Sequence, residues 1–413
     1  MPTPPEDVGE LPADAPPTVT LPAVELLAGI PGVVADPSGL SRAVTSLAAG
    51  SGPVAVDAER ASGFKYGQRA YLVQFYRRGG GTWLIDPITC GGLDVLAERL
   101  ADAPWILHAA SQDLPCLREV GLVPTRIFDT ELAARLLGRE RVGLAPLVDS
   151  ELGMHLAKGH GAADWSRRPL PDDWLRYAAL DVEVLVDLYD VLAADLVRAG
   201  KDEWAAQEFD AVLHQPPPLP RRDPWRRTSG MHRVRGRRAL ALVRALWESR
   251  EDLARRMDVS PGRVLPDAAI VAASANAPAS REALAAMPEF TKGHAARHLD
   301  RWWACIQAAR VLPDEALPLP ALPSDGPPPA RLWRDRDPAA ADRLARVRAA
   351  LGAVAESHMI PVENLVPPDA VRRWAWNPPE PVDADSVGQA LHEAGARPWQ
   401  VALCAETIAA AAT

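Results

Sequence analysis

With 413 residues the chain is too long for one core and implies two to four domains, and its 48% hydrophobic and 24% charged residues are those of globular material rather than of a disordered or fibrous chain. The formal charge of −9 is unevenly spread: residues 1–214 carry 18 Lys and Arg against 31 Asp and Glu, whereas residues 215–413 carry 27 against 23. An acidic N-terminal half does not adhere to a polyanion through bulk charge, so acting on one requires metal ions or basic help. No apolar run reaches the roughly 18 residues of a membrane span, and the N-terminus has neither a basic n-region nor an apolar h-region. A cytoplasmic location without a membrane partner is therefore expected. Cys90, Cys116, Cys305 and Cys404 are far apart in sequence, which argues against a zinc site or a disulfide framework.

Residues 1–20 are Pro-rich and acidic and read as a disordered tail. From 21 to 212 short apolar runs alternate with amphipathic stretches, the pattern of an α/β domain. Strands are expected at 53–58, 70–76, 82–86 and 105–108. The first three form an antiparallel meander and the fourth begins strand–helix alternation, giving a mixed sheet flanked by helices. Residues 213–232, which include HQPPPLPRRDPWRRTSG, cannot continue a helix or a central strand and read as a basic Pro-rich linker. Residues 233–311 are helical in pattern, 312–338 form a second Pro-rich linker, and 339–413 are helical again. The two helical blocks match weakly at an offset of 100 residues, with Pro261 and Leu265 corresponding to Pro361 and Leu365.

The first expected strand ends in Asp57 and Glu59, whose side chains alternate onto one face. Two carboxylates about 4 Å apart at an effective dielectric near 20 repel by roughly 4 kcal/mol, so a cation should offset them. Asp113 follows the strand PWILH at the start of a helix, where the helix N-terminus alone could account for a carboxylate. Tyr177 and Asp181 lie four residues apart on one face of the helix DDWLRYAALDVEVLVDLYDVL. The four acids offer only hard oxygen ligands, which suit Mg²⁺ or Mn²⁺. Two such ions stabilise both the attacking and the leaving oxygen of a phosphoryl displacement.

VDAE, HAASQDL and YAALDVEVLVDLY, with FDTELAARLLG and DWSRRPL between them, resemble the motifs of the DEDD superfamily of 3′→5′ exonucleases and, within it, the tyrosine branch that includes ribonuclease D. The resemblance spans about residues 50–210. It implies a ribonuclease H-like α/β exonuclease domain over 21–212, two divalent cations held by Asp57, Glu59, Asp113 and Asp181, and a Tyr177 that orients or helps deprotonate the attacking water. Arg60 and Leu180 depart from the family pattern without removing a ligand. VLPDAAIVAAS resembles the helicase-and-ribonuclease-D C-terminal (HRDC) domain, a small all-α nucleic-acid-binding bundle, and 339–413 resembles a second, diverged copy. HRDC domains also occur in helicases, but the sequence holds no G-x-x-x-x-G-K-[ST], so ATP is not an expected partner.

The run RRDPWRRTSGMHRVRGRR places Arg221, Arg222, Arg226 and Arg227 around Trp225, a set able to contact phosphates and stack on an unpaired base. The expected activity is hydrolysis of RNA 3′ ends to nucleoside 5′-monophosphates. The expected partner is RNA with a free 3′ end, a tRNA precursor or another structured RNA. A DNA 3′→5′ exonuclease and a catalytically silent RNA-binding protein are the alternatives.

Overall fold

In the computed structural model, residues 21–412 are described apart from 158, 218 and 323–325, and the tail expected over 1–20 lies outside the described residues. The strands β1 (Val33–Val34), β2 (Ser51–Arg60), β3 (Ala70–Arg78), β4 (Gly81–Ile85), β5 (Trp105–Leu107) and β6 (Ile127–Asp129) form one sheet in the order β1-β4-β3-β2-β5-β6. The expected meander is present: β2 pairs antiparallel with β3 and β3 with β4. The other pairings are parallel, so the sheet is mixed. The two strands not foreseen, β1 and β6, have two and three residues, too few to display an alternation. Gly79 and Gly81, both at positive φ (76° and 74°), turn β3 back into β4.

Helix α1 (Pro37–Ala49) begins at Asp36, whose side chain accepts from Gly39 N–H. Helix α2 (Leu114–Glu119) follows β5, and α3 (Thr130–Leu136) follows β6. The 27-residue helix α4 (Asp172–Arg198) lies against β2, β3 and β4. In the β2–β3–β4 register Asp57 pairs with Gln74, Glu59 with Leu72, and Gln74 with Leu84. Directly opposed residues share a face, and here that face is the one α4 covers, with Leu72 and Leu84 packed against Ala178 and Ala179.

Helix α5 (Asp202–Leu213) closes the sheet domain. Helices α6 (Gly236–Met257), α7 (Asp267–Asn276) and α8 (Leu299–Arg310) then enclose a separate core around Trp302, Phe290 and Trp225. This block grips the β2–β3 connection. Asp258 lies 3.2 Å from Lys65 Nζ and 3.1 Å from an Arg69 nitrogen; Ser260 N–H donates to Phe64 O (2.9 Å) and Arg263 Nε–H to Gly63 O (2.8 Å).

The last helices, α9 (Pro338–Ser357), α10 (Pro368–Trp376), α11 (Ala384–Glu393) and α12 (Pro398–Ala412), share one continuous apolar core with the sheet domain. Trp204 of α5 stacks on Trp399 of α12 at 4.9 Å, and Trp399 Nε1–H donates to Glu208 (3.0 Å). The buried Lys201 donates to Leu136 O and His358 O, both at 2.6 Å, joining the two parts again. Trp333 falls within the segment expected as the second linker, yet it is fully buried and packs against Trp376 at 4.8 Å. No helix among the described residues is long and apolar enough to cross a membrane.

Candidate active site

Asp57 and Glu59 stand at the end of β2 on the face beneath α4. Asp181 descends from α4, and each of these three offers a carboxylate oxygen within 4.8 Å of the others. Asp113 arrives by a different route. After β5 the chain passes through Ala109 at φ 57° and a tight turn over Ala110–Gln112. Asp113 then takes the cap position of α2, as its place at a helix start implied, without a side-chain capping bond. Its carboxyl lies 3.5 Å from the Arg60 guanidinium. Glu59, Asp113 and Asp181 are all buried. The four acids and Tyr177 line one cavity of about 410 Å³. A second cavity of about 340 Å³, lined by Ser62, Gly63 and Gln68, continues from it past Glu59 and Arg60.

Arg60 brings one fixed cation to the site, set against Asp113. Beyond Asp113, it donates to Gln112 O at 3.0 Å and is thereby held across the site. One guanidinium does not neutralise four carboxyls. Burial, reinforced by the charges of Asp57, Asp181 and Asp113, pushes Glu59 up to about 10. Burial and Asp57 push Asp113 and Asp181 up to about 8, and burial raises Asp57 as well. Burial is the largest cause of each of these shifts, and the neighbouring carboxylates add to it at Glu59, Asp113 and Asp181. The donors of the four acids are all carboxylate oxygens, so the set fits divalent cations.

Tyr177 lies one helical turn before Asp181 and lines the same cavity. Burial raises the Tyr177 pKa. The ring is confined by the segment before α4. His160 meets it edge-on at 5.9 Å, and Gly159 approaches so closely that a Cβ there would collide with Tyr177 Cδ2. His108, at the end of β5, faces the same cavity, with Nδ1 2.9 Å from Thr130 Oγ1; burial brings its pKa down to about 4.

Sequence reasoning did not single out Asp129. Its buried carboxylate accepts from Ala109 N–H (3.0 Å) and Ala110 N–H (2.8 Å), and also caps α3 through Glu131 and Leu132. It thereby holds the turn that delivers Asp113. The D-T-E start of the FDTELAARLLG run was its sequence signal.

The proposed base-stacking Trp225 needs correction. It is 2% exposed, inside the core of the first helical block, and has no face to offer a base. Arg226 lies 4.3 Å above that ring and is held by Asp223 (2.9 Å) and Leu319 O (2.8 Å). Arg221, Arg222 and Arg227 are exposed.

Residues 32–196 match the family model of a 3′-5′ exonuclease, 239–306 match the HRDC domain, and 326–412 match a 3′ to 5′ exonuclease C-terminal domain. The block expected as a second HRDC copy is thus the one matched by that last description. The chain is 38% identical over 231 residues to ribonuclease D of Gluconacetobacter diazotrophicus, covering 54% of this chain and 58% of the relative. It is 33% identical over 257 residues to ribonuclease D of Pseudomonas paraeruginosa, covering 60% of this chain and 67% of the relative. Among solved structures, a protein from Bifidobacterium adolescentis has TM-score 0.88 and 38% identity, covering 95% of this chain and 99% of that one. Escherichia coli RNase D, described as an exoribonuclease involved in structured RNA processing, has TM-score 0.64 and 25% identity, covering 88% and 99%. With an acid cluster and a tyrosine gathered from three separate motifs, and with relatives matched well beyond those motifs, the chain belongs to the ribonuclease D family.

Proposed function

We propose that the chain is a metal-dependent 3′→5′ exoribonuclease that removes nucleotides one at a time from RNA 3′ ends and releases nucleoside 5′-monophosphates. The observation that carries this reading is the convergence of Asp57, Glu59, Asp113, Asp181 and Tyr177 on one cavity. The four carboxylates hold two divalent cations, Mg²⁺ or Mn²⁺. When bound, the cations supply charge stabilisation for both oxygens of an in-line phosphoryl displacement. Tyr177, its pKa raised by burial, keeps its proton at neutral pH and orients the attacking water as a hydroxyl rather than a phenolate. Arg60 holds Asp113 in place through its guanidinium, 3.5 Å from that carboxyl.

The substrate is RNA with a free 3′ end, with tRNA precursors or other structured RNA as the physiological class; the description of the Escherichia coli relative supports that class. The exposed Arg221, Arg222 and Arg227 offer phosphate contacts beside an acidic catalytic half. The test is digestion of matched RNA and DNA 3′ overhangs with Mg²⁺ or Mn²⁺. A ladder of single-nucleotide steps on RNA, silenced by chelator and by Asp57→Asn, is expected. Absence of mononucleotide release from RNA with either ion refutes the assignment, and equal rates on DNA refute the RNA preference.

A further inference from the structure

Gln74 is the polar exception in the apolar run YLVQF of β3. It is 0% exposed, and neither its Oε1 nor its Nε2 has a hydrogen-bond partner. Buried side-chain amides are nearly always paired, because leaving one unpaired forfeits its hydration without return. An unpaired amide in the middle of a central strand therefore opposes folding unless another state of the protein uses it.

The register says where that use lies. Gln74 is directly opposite Asp57, and the pairing runs without a shift from Val54 to Glu59, so the two side chains share a face. Opposed residues of this kind have Cβ atoms about 4.5–5.5 Å apart, and diagonal neighbours remain within reach of a long side chain. Glu59, opposite Leu72, is such a diagonal neighbour. On the other side Gln74 is paired with Leu84, and α4 seals the face through the packing of Ala178 and Ala179 on Leu72 and Leu84. The amide is thus shut into an apolar layer that opens, in register, onto the carboxylates of the candidate metal site.

We propose that Gln74 is a positioning residue of that site. Its Nε2–H donates to the Asp57 carboxylate when divalent cations are bound and fixes the orientation in which Asp57 holds them. The inference rests on the metal-dependent reading above. It gives Gln74 no contact with substrate; it acts through Asp57, as groups behind metal ligands commonly do.

The test is calorimetric titration of Mn²⁺ into wild-type protein, Gln74→Met and the control Leu84→Met, together with melting curves of each after chelator treatment. Gln74→Met keeps the volume and removes the amide. It is expected to bind Mn²⁺ about 10- to 100-fold more weakly while its chelator-treated form melts above wild type, since an unpaired buried amide has gone. A residue of purely structural importance would show the reverse: a lower melting temperature and Mn²⁺ affinity equal to wild type, and that outcome overturns the proposal. Equal weakening by Leu84→Met assigns the effect to packing and also overturns it. Should Gln74→Met fail to fold, Gln74→Asn, which withdraws the amide by one methylene, decides in the same way: weakened binding supports the role and unchanged binding overturns it. Wild-type protein that binds no Mn²⁺ refutes the metal reading and this inference with it, whereas equal binding by wild type and Gln74→Met refutes the inference alone.

Discussion

Gly159→Ala tests whether catalysis depends on the placement of the Tyr177 ring. A Cβ at this position would overlap Tyr177 Cδ2 and come within 2.7 Å of Cε2 and 2.8 Å of Cγ. Ordinary carbon contacts begin near 3.5 Å, so the ring and the Gly159 backbone must separate by about 1 Å. The ring has little freedom to yield, because His160 abuts it edge-on at 5.9 Å. A displacement of about 1 Å in a positioned group is enough for a rate loss of up to about 10²-fold. Gly159 itself is exposed and its φ is unremarkable for an L-residue, so stability should change little. The assay is single-turnover cleavage of a short RNA by Gly159→Ala, Tyr177→Phe and the double variant. We expect the saturating single-turnover rate constant to fall about 10- to 10²-fold in Gly159→Ala, with RNA affinity and melting temperature near wild type. Because both changes act through one ring, the double variant should be no slower than Tyr177→Phe. Losses that add in the double variant, or an unchanged rate in Gly159→Ala, refute the reasoning.

Asp57→Asn should abolish nearly all turnover while leaving the melting temperature of chelator-treated protein at or above that of wild type; activity above about a tenth of wild type contradicts the role given to the cluster. Trp399→Ala removes a ring that is 4% exposed, together with its bond to Glu208, and should lower unfolding free energy by about 3–5 kcal/mol in urea denaturation; a loss under about 1 kcal/mol means the last helices are not integral to the core. Replacing Arg221, Arg222 and Arg227 together with Ala should flatten the dependence of log K on log salt by roughly 0.7 per lost contact, about two in all, on one structured RNA. Identical slopes for that triple variant and wild type would make these arginines a solvated surface.

The acids were legible because short-range rules place them: alternation puts Asp57 and Glu59 on one face, and a four-residue step puts Tyr177 beside Asp181. The strands of five or more residues were legible for the same reason, and the three-residue β5 from its apolar run, while β1 and β6 offered neither. What failed was reading exposure from composition. Trp225 sits among arginines and prolines, yet the fold draws its ring inward and leaves Arg221, Arg222 and Arg227 outside. Trp333 was hidden the same way among prolines. The stacking of Trp204 on Trp399 is set by tertiary packing, to which no local spacing points. Gln74 did leave a trace, a lone amide in an apolar strand, but its importance lies in bonds it does not make, and those appear only once its surroundings are folded.

The shared core of the sheet domain and the last helices also sets the order of events during synthesis. Glu208 and Trp399 are separated by 191 positions. At translation rates of about 5–20 residues per second, α5 leaves the ribosome on the order of 10 to 40 s before its partner helix does. Throughout that interval the nascent sheet domain displays the apolar surface around Trp204 with nothing to cover it, and the HRDC block emerges and can close its own core in the meantime. The newborn chain is therefore most exposed to chaperones and to self-association midway through its production.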